Sequence, residues 1–291
     1  TCHTHDTAGK ELVPYEMGGA LTRTMSENVD VVFIAMHGPY GEDGTIQGLL
    51  ELLDIPCQGA GVLGSAAAMN KLAAKQLYEF NGIPTPPYIA LTAKDRIDTG
   101  RFLDELGLPL VVKPACAGSS QGMTLVKAPG DLKAAIALGF DNDDTLLLET
   151  YVNGLELTCG VLGNDDPKAL PVIEIIPGKG HEFFDYKAKY TAGETTEICP
   201  ARIDDALTAA VQDLAVRAHN ALFLKGYSRT DFILKDNTLT VLETNTIPGM
   251  TATSLYPQSA RKARYSFTRL LDELIALSIK EHEKKRKRRA T

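Results

Sequence analysis

Apolar residues recur along the chain in short runs that are typical of a mixed α/β protein. The β-branched run at 29–38, VDVVFIAMHG, is followed at 44–55 by GTIQGLLELLDI, which has helical spacing. A strand, a loop and a helix in this order are typical of an α/β layer. Residues 1–64 are therefore predicted to be the remainder of an N-terminal α/β domain.

A second unit is predicted over residues 65–150. The segment 65–83, SAAAMNKLAAKQLYEFNGI, opens with a Ser cap, runs through good helix formers and stops at Asn81-Gly82, so it predicts one helix. The strand-like LPLVVKP, GMTLVKA and DTLLLETYV surround the helical DLKAAIALGF. These elements predict a small α+β unit.

The third predicted unit, residues 151–291, contains strands, a polar stretch and two amphipathic helices. The helical patterns are DDALTAAVQDLAVRAHNALFL and SFTRLLDELIALSIKEHEKK. Between them, DFILKDNTLTVLE has Asp236, Asn237 and Thr238 midway between two apolar strands. It predicts a β-hairpin with a three-residue loop.

The predicted hairpin brings three oxygen-bearing side chains together. A three-residue loop would place Asp231 directly across from Glu243, and Asn245 falls on the same face as Glu243. Such a patch suits a hard cation such as Mg²⁺, and Pro248 and Gly249 then end the strand. From spacing alone, a surface hairpin with ordinary polar side chains is the alternative.

A glycine-rich loop lies between two strands in LVVKPACAGSSQGMTLV. Lys113 ends the first strand, and the loop holds Gly118, Ser119, Ser120 and Gly122. Small residues allow backbone N–H groups to approach phosphates, while the lysine adds positive charge. The segment resumes as a strand, whereas a P-loop or dinucleotide fingerprint leads into a helix. An ordinary hairpin connection is the alternative.

Composition and charge narrow the class of protein. The chain is 44% hydrophobic and 23% charged, as expected of a globular protein with buried cores. Six of the 30 basic residues lie in the last eight positions, KKRKRRAT, so the rest carries 24 basic residues against 37 acidic ones. That excess argues against binding of nucleic acid, and the basic tail is expected to be a frayed, solvated helix end.

Two further features predict a cytoplasmic protein. The five cysteines are scattered without CxxC spacing, which argues against a disulfide framework or a zinc site. No apolar run approaches the length needed to cross a membrane, and no membrane partner is expected.

Six motifs carry a resemblance to a known family. They are HGPYGEDG (37–44), MNK (69–71), VVKP with GSSQGM (111–123), EFFDYKAKY (182–190), YSRTDF (227–232) and ETNTIPGMTATSL (243–255). Together they resemble the D-alanine:D-alanine ligase family, which has the ATP-grasp fold. The resemblance implies a partial Rossmann-like N-terminal domain followed by two α+β subdomains that enclose ATP. It also implies a homodimer.

By resemblance, the chain binds ATP with two Mg²⁺ or Mn²⁺ ions. The metal ligands would be Asp231, Glu243 and Asn245. Lys71 and Lys113 would contact the phosphates, while Glu149 would face the adenine and Glu156 would hold the ribose.

The reaction implied is phosphorylation of one D-alanine carboxylate by ATP, followed by attack of the amine of a second D-alanine on the acyl phosphate. The product is the D-alanyl-D-alanine used for peptidoglycan. Arg229 and the Gly249 N–H would stabilise the tetrahedral oxyanion.

The remaining site residues are also implied by the resemblance. His37 would lie near the first D-alanine, and Lys189 and Ser254, with the adjoining Leu255, would bind the second substrate. Ser119 and Tyr190 would form a hydrogen-bonded link that closes the polar loop over the site and keeps water from the acyl phosphate.

Two alternatives remain open. The first is an ATP-grasp ligase with another acceptor, D-serine or D-lactate, although a tyrosine at position 190 favours D-alanine in this family. The second is a nucleotide-binding protein with an incomplete first-substrate pocket. The family's Gly-Gly loop, with the Glu that binds the first D-alanine's ammonium, is not found in this chain, which is expected to begin after it.

Overall fold

The structure, a computed structural model, describes residues 2–4, 13–15, 19, 29–116, 122–178 and 195–289. Two short strands near the N-terminus, β1 (Cys2–Thr4) and β2 (Val13–Tyr15), pair antiparallel. The other strands form two larger sheets, in which all neighbouring strands are antiparallel.

The smaller sheet has the strand order β3-β6-β4-β5. Its strands are β3 (Tyr88–Thr92), β4 (Leu110–Pro114), β5 (Thr124–Val126) and β6 (Thr145–Thr150). The larger sheet has the order β10-β9-β7-β11-β12, with β8 beside β7. Its strands are β7 (Leu155–Leu162), β8 (Lys168–Ala169), β9 (Ile173–Pro177), β10 (Thr195–Ile198), β11 (Tyr227–Lys235) and β12 (Thr238–Asn245).

Most of the helices pack on the faces of the two larger sheets, and the first helix packs in the N-terminal part. The helices are α1 (Thr45–Leu52), α2 (Val62–Met69), α3 (Lys71–Phe80), α4 (Thr99–Leu106), α5 (Leu132–Phe140), α6 (Asp205–Ala221), α7 (Leu255–Lys262) and α8 (Phe267–Arg289). The smaller sheet and α4 and α5 share one core, around residues such as Phe102, Leu110 and Ile136. The predicted mixed α/β class is confirmed.

The larger sheet is packed on both faces. One core joins α2, α3 and α6 to the sheet through residues such as Tyr78, Ala215 and Phe232. The other joins α7 and α8 through Tyr256 and Leu274. The central strands therefore pack against helices on both faces. This packing holds in place the side chains that the same strands contribute to a functional site.

The helix predicted over residues 65–83 is in fact two helices. The break is at Asn70, whose extended backbone (φ −85°, ψ 103°) ends α2 and whose side-chain oxygen accepts the Ala73 N–H at 3.0 Å. Ser65, the predicted cap, lies inside α2. The extended backbone at Asn70 interrupts the helical hydrogen bonds, and the Asn70 side chain then caps the first turn of α3.

The N-terminal part contributes a smaller cluster around Ile34, Leu50 and Ile247. Within the described residues, the strand predicted at 29–38 forms one parallel bridge, Val32 to Cys57. The Gln58 amide completes the pairing like a backbone group: its Oε1 accepts the Ile34 N–H and its Nε2 donates to the Ile34 carbonyl, both at 2.6 Å.

The basic end of the chain is solvated as expected, since residues 286–289 are exposed, but the expectation that it is frayed is wrong. Helix α8 continues to Arg289, because acidic groups at the C-terminal end of α1 face it. Glu51 pairs with Lys285 (3.3 Å) and Arg289, and Asp54 pairs with Arg286 (3.2 Å). The basic residues therefore join the C-terminal helix to the N-terminal part of the chain.

Across the described residues, no helix combines the length and apolar character needed to span a bilayer.

Candidate active site

A cleft of about 740 Å³ opens between the two sheets. The smaller sheet contributes Lys113 and Glu149, and the larger sheet contributes Arg229, Asp231 and Glu243. This volume is in the range of pockets that hold small ligands. The cleft therefore collects charged groups from two independently packed layers.

The hairpin formed by β11 and β12 carries the predicted metal ligands. Asp231 lies opposite Glu243, and Arg229 lies opposite Asn245, so the predicted pairing is confirmed. The predicted three-residue loop is wrong, because the turn has two residues, Asp236 and Asn237, both with positive φ. The register shifts by one residue between Asp231 and Phe232, where β12 has one extra residue. This extra residue offsets the shorter turn, so that Asp231 still lies opposite Glu243.

The Asp231 carboxylate accepts four hydrogen bonds. Oδ1 accepts from Thr158 Oγ1 (2.6 Å) and Arg229 Nε (3.0 Å). Oδ2 accepts from the other end of the Arg229 fork (3.0 Å) and from Asn245 Nδ2 (3.2 Å). Burial disfavours the Arg229 charge, but Asp231 and then Glu243 and Glu156 raise its pKa above the ordinary value. The fork thus fixes Asp231 at the wall of the cleft.

Asp231, Glu243 and Asn245 suit a divalent cation once the Asn245 amide is turned to present its oxygen. Two carboxylates and an amide are hard oxygen ligands of the kind that Mg²⁺ requires. Among the described residues no three His, Cys, Asp or Glu side chains are placed to hold a metal ion, so the Asn245 oxygen is needed to complete the set. Asn245 now directs Nδ2 at Asp231, and half a turn of its amide would present Oδ1 instead.

The predicted nucleotide-contacting residues also line this cleft. Lys113 on β4 donates to Glu149 Oε1 on β6 at 2.9 Å, and both side chains are buried. Lys71 is the first residue of α3, and its backbone N–H donates to the Ala115 carbonyl (2.9 Å), which ties it to the end of β4. Glu156 on β7 lies in the larger sheet, opposite Ile233. The structure therefore brings all four together.

The segment after β12 closes another side of the cleft. Ser254 immediately precedes α7, and its Oγ accepts the Thr251 N–H at 3.1 Å. A Cβ at Gly249 would lie only 2.8 Å from Ser254 Oγ, so a side chain at position 249 would displace this hydroxyl. Leu255 lines the cleft as well but is buried.

His37 lies in the cleft lining and is exposed. Near it is Glu42, which the sequence analysis did not single out although it belongs to the HGPYGEDG motif. The Glu42 carboxylate accepts the Gly38 N–H at 2.6 Å, and burial raises its pKa. Its position in that motif was the signal that would have identified it.

Three predicted residues, Ser119, Lys189 and Tyr190, lie outside the described residues. Their predicted link across the polar loop and their contacts with the second substrate therefore stay predictions.

Comparison with known proteins gives one consistent result. A family model described as "D-ala D-ala ligase C-terminus" matches residues 77–276, and one described as "D-ala D-ala ligase N-terminus" matches residues 8–60. The D-alanine–D-alanine ligase of Syntrophobacter fumaroxidans is 54% identical over 269 residues, which cover 92% of this chain and 86% of that protein. The ligase of Desulfotalea psychrophila is 52% identical over 261 residues, covering 89% and 81%.

Solved structures agree with the sequence relatives. A D-alanine–D-alanine ligase from Bacillus anthracis, complexed with ATP, superimposes with a TM-score of 0.81 at 33% identity and covers 96% of this chain and 90% of that one. The Coxiella burnetii ligase gives a TM-score of 0.79 at 35% identity and covers 90% and 72%. Sequence and fold therefore match the same group of proteins over most of the chain.

Proposed function

The chain belongs to the D-alanine–D-alanine ligase family, and from that premise we propose how its cleft joins two D-alanine molecules in a reaction driven by ATP. The observation that carries the proposal is the group formed by Arg229, Asp231, Glu243 and Asn245 on one hairpin, facing Lys113 across the cleft. Metal ligands and cationic side chains surrounding one space suit phosphoryl transfer, in which charge develops on oxygen.

In the first step, a carboxylate oxygen of one D-alanine attacks the γ-phosphorus of ATP, which gives D-alanyl phosphate and ADP. Lys71 and Lys113 hold phosphate oxygens, and Glu149 and Glu156 hold the adenine and the ribose. Asp231, Glu243 and Asn245 are the residues that would hold two Mg²⁺ or Mn²⁺ ions. These ions supply positive charge to the phosphate oxygens.

In the second step, the amine nitrogen of another D-alanine attacks the carbonyl carbon of the acyl phosphate. The tetrahedral oxyanion accepts hydrogen bonds from Arg229 and the Gly249 N–H. It collapses with release of inorganic phosphate, which leaves the peptide bond. Lys189 and Ser254, with Leu255, bind the second carboxylate, and His37 lies near the first D-alanine. Ser119 and Tyr190 close the polar loop and exclude water.

The experiment measures phosphate release from ATP with Mg²⁺ and D-alanine, L-alanine, D-alanine plus D-serine, or D-alanine plus D-lactate, and identifies the dipeptide or depsipeptide formed. The proposal predicts release with D-alanine alone and no release by Asp231→Ala. Ligase activity only with D-serine or D-lactate as acceptor would support a different acceptor. ATP binding without turnover would support a nucleotide-binding protein with an incomplete pocket.

We also propose a division into units at 1–64, 65–150 and 151–291. Separate cores around Ile34 and Phe102 support it, although α3 packs on the core of the larger sheet. Gly64 lies inside α2, so limited proteolysis would be expected to cut first just after residue 150, at the exposed Asn153 and Gly154, and cleavage concentrated inside the units would contradict the division.

A cytoplasmic location is proposed because Cys57, Cys116, Cys159 and Cys199 are free thiols, as expected in a reducing compartment. Fractionation of the native cells tests it: the chain is expected with the cytoplasmic enzymes, and recovery from the cell exterior would contradict it.

A homodimer is also proposed, because adjacent apolar side chains on α2 and after α6 are exposed. Leu63 is 62% and Phe223 54% exposed, and a Cβ at Gly64 would lie 3.0 Å from the Phe223 carbonyl oxygen. Light scattering is expected to give twice the chain mass for the wild type and the chain mass for Leu63→Glu. A monomeric wild type would contradict the proposal.

A further inference from the structure

Lys75 is a buried cation that the proposed reaction leaves unexplained. It lies on α3 with 1% of its surface exposed. Its ammonium forms an ion pair with Glu149 Oε2 and donates to Thr85 Oγ1 (2.6 Å) and to the Pro86 carbonyl (3.2 Å). It also lies 5.0 Å from the centre of the Tyr88 ring. Lys75 is therefore anchored by several segments at once.

Glu149 is shared between two lysines. Its Oε1 accepts from Lys113 at 2.9 Å, while its Oε2 faces Lys75. Lys113 and Glu149 line the cleft, whereas Lys75 lies behind them, outside the lining. One carboxylate thus joins a lysine that faces the ligand space to a lysine that does not.

Without a ligand, Lys75 and Lys113 repel each other across the carboxylate that they share. Burial lowers the pKa of Lys75, Glu149 opposes this shift and the nearby Lys113 adds to it, and together they bring the pKa to about 8. Burial would raise the pKa of Glu149, but Lys113 and Lys75 hold it below the ordinary value. Two ammonium groups share the Glu149 carboxylate, and Glu79 adds only a weaker negative charge near Lys75, so an anion near Lys113 would relieve the repulsion between the two ammonium groups.

We propose that Lys75 is a positioning residue for the nucleotide: it keeps Glu149 ionised and in place while Lys113 turns its ammonium to a phosphate oxygen. This rests on the proposed function, in which Lys113 contacts phosphate. With Lys75 removed, Lys113 becomes the counter-charge that the buried Glu149 needs, and its transfer to phosphate would leave a buried carboxylate unpaired. Lys75 therefore acts on the nucleotide through Glu149 and Lys113.

The direct test is the dissociation constant for ATP with Mg²⁺, measured by calorimetry on the purified chain. Lys75→Met keeps the length of the side chain but removes its charge, and Lys94→Met is the matched control because Lys94 is exposed. We expect about ten-fold weaker binding by Lys75→Met and no change in Lys94→Met. In steady-state assays the KM for ATP should rise by a similar factor, with little change in kcat at saturating ATP.

A double-mutant cycle separates positioning from general destabilisation. In a Glu149→Gln background no carboxylate remains between Lys75 and Lys113, so Lys75→Met should weaken ATP binding by less than about two-fold further. The same ten-fold loss in that background, or wild-type affinity in Lys75→Met, would overturn the proposal. A wild-type chain that binds no ATP would instead contradict the proposed function.

The wild-type chain provides a test if Lys75→Met does not fold. When Lys113 leaves Glu149 for phosphate, one of the groups that depress the pKa of Lys75 is removed, so ATP binding favours protonated Lys75. Affinity should then fall as the pH rises through about 8. The other ionisable groups facing Lys75 are Glu149, Lys113, Glu79 and the Tyr88 hydroxyl. A flat affinity between about pH 7 and 9 would overturn the inference.

Discussion

Replacement of Arg229 tests the hairpin site most sharply. Its guanidinium supplies two of the four hydrogen bonds that Asp231 accepts, each at 3.0 Å. In the proposed reaction it also faces the oxyanion, where loss of one donor costs about 10²–10³ in kcat, or about 3–4 kcal/mol. We expect kcat to fall about 10²-fold in Arg229→Lys, which keeps the charge but not the fork, and about 10³-fold in Arg229→Met.

The same substitution carries a structural cost that must be measured separately. Arg229 and Asp231 are 13% and 7% exposed, so breaking the pair should lower the free energy of unfolding by about 3–5 kcal/mol. Urea denaturation gives this quantity, and phosphate release at saturating ATP and D-alanine gives kcat for the folded fraction.

Arg202 provides the matched control. It also forks onto a carboxylate, with its Nε 2.9 Å from Glu174 Oε2, but neither residue lines the cleft. Arg202 is 63% exposed but Glu174 only 4%, so Arg202→Met leaves a buried carboxylate without its fork and should cost about 1–3 kcal/mol of stability while leaving kcat unchanged. A folded Arg229→Met that keeps kcat within about five-fold of wild type would refute its role at the oxyanion.

Three further substitutions test the local structure. Gly154→Ala places a methyl against the Leu234 carbonyl oxygen and should destabilise the chain by about 2 kcal/mol in urea denaturation. Asn70→Ala removes the cap of α3 and should cost about 1 kcal/mol in the same assay. Burial lowers the pKa of His219 to about 4. The stability that depends on neutral His219 should be fully present above pH 6.5 and should be lost as the pH falls from there towards 4, by up to about 3 kcal/mol. His219→Gln should remove this part of the acid dependence.

Each of these expectations has a contradicting result. A Gly154→Ala chain as stable as the wild type would mean that the segment has room for a side chain. An Asn70→Ala chain without loss would mean that α3 does not depend on its cap. An unchanged acid profile in His219→Gln would assign the pH dependence between 4 and 6.5 to other groups.

The hairpin explains how much of the site could be predicted from the sequence. The apolar pattern identified both strands and the pairing of Asp231 with Glu243. The apolar pattern could not identify the two-residue turn, because Asp236-Asn237 suits a two-residue loop as well as Asp236-Asn237-Thr238 suits a three-residue loop. The turn is one residue shorter than predicted and β12 has one extra residue, so the two differences cancel. The predicted pairing of Asp231 with Glu243 is therefore right although the predicted loop is wrong.

Other features were hidden because they depend on contacts between distant segments. Lys75 lies among polar positions of an amphipathic helix, where a lysine is typical of an exposed face. Its burial depends on Glu149, 74 positions away along the chain. The basic end of α8 likewise depends on Glu51 and Asp54 near the N-terminal end of the sequence. Local periodicity contains no information about either contact.

The measurement that tests the central claim most directly follows an oxygen atom. The chain is incubated with ATP, Mg²⁺ and D-alanine labelled with ¹⁸O in its carboxylate, and the products are analysed by mass spectrometry. If two D-alanine molecules are joined through D-alanyl phosphate, each dipeptide formed is accompanied by one inorganic phosphate that carries one ¹⁸O atom. Unlabelled phosphate, or phosphate release without the dipeptide, would contradict the account.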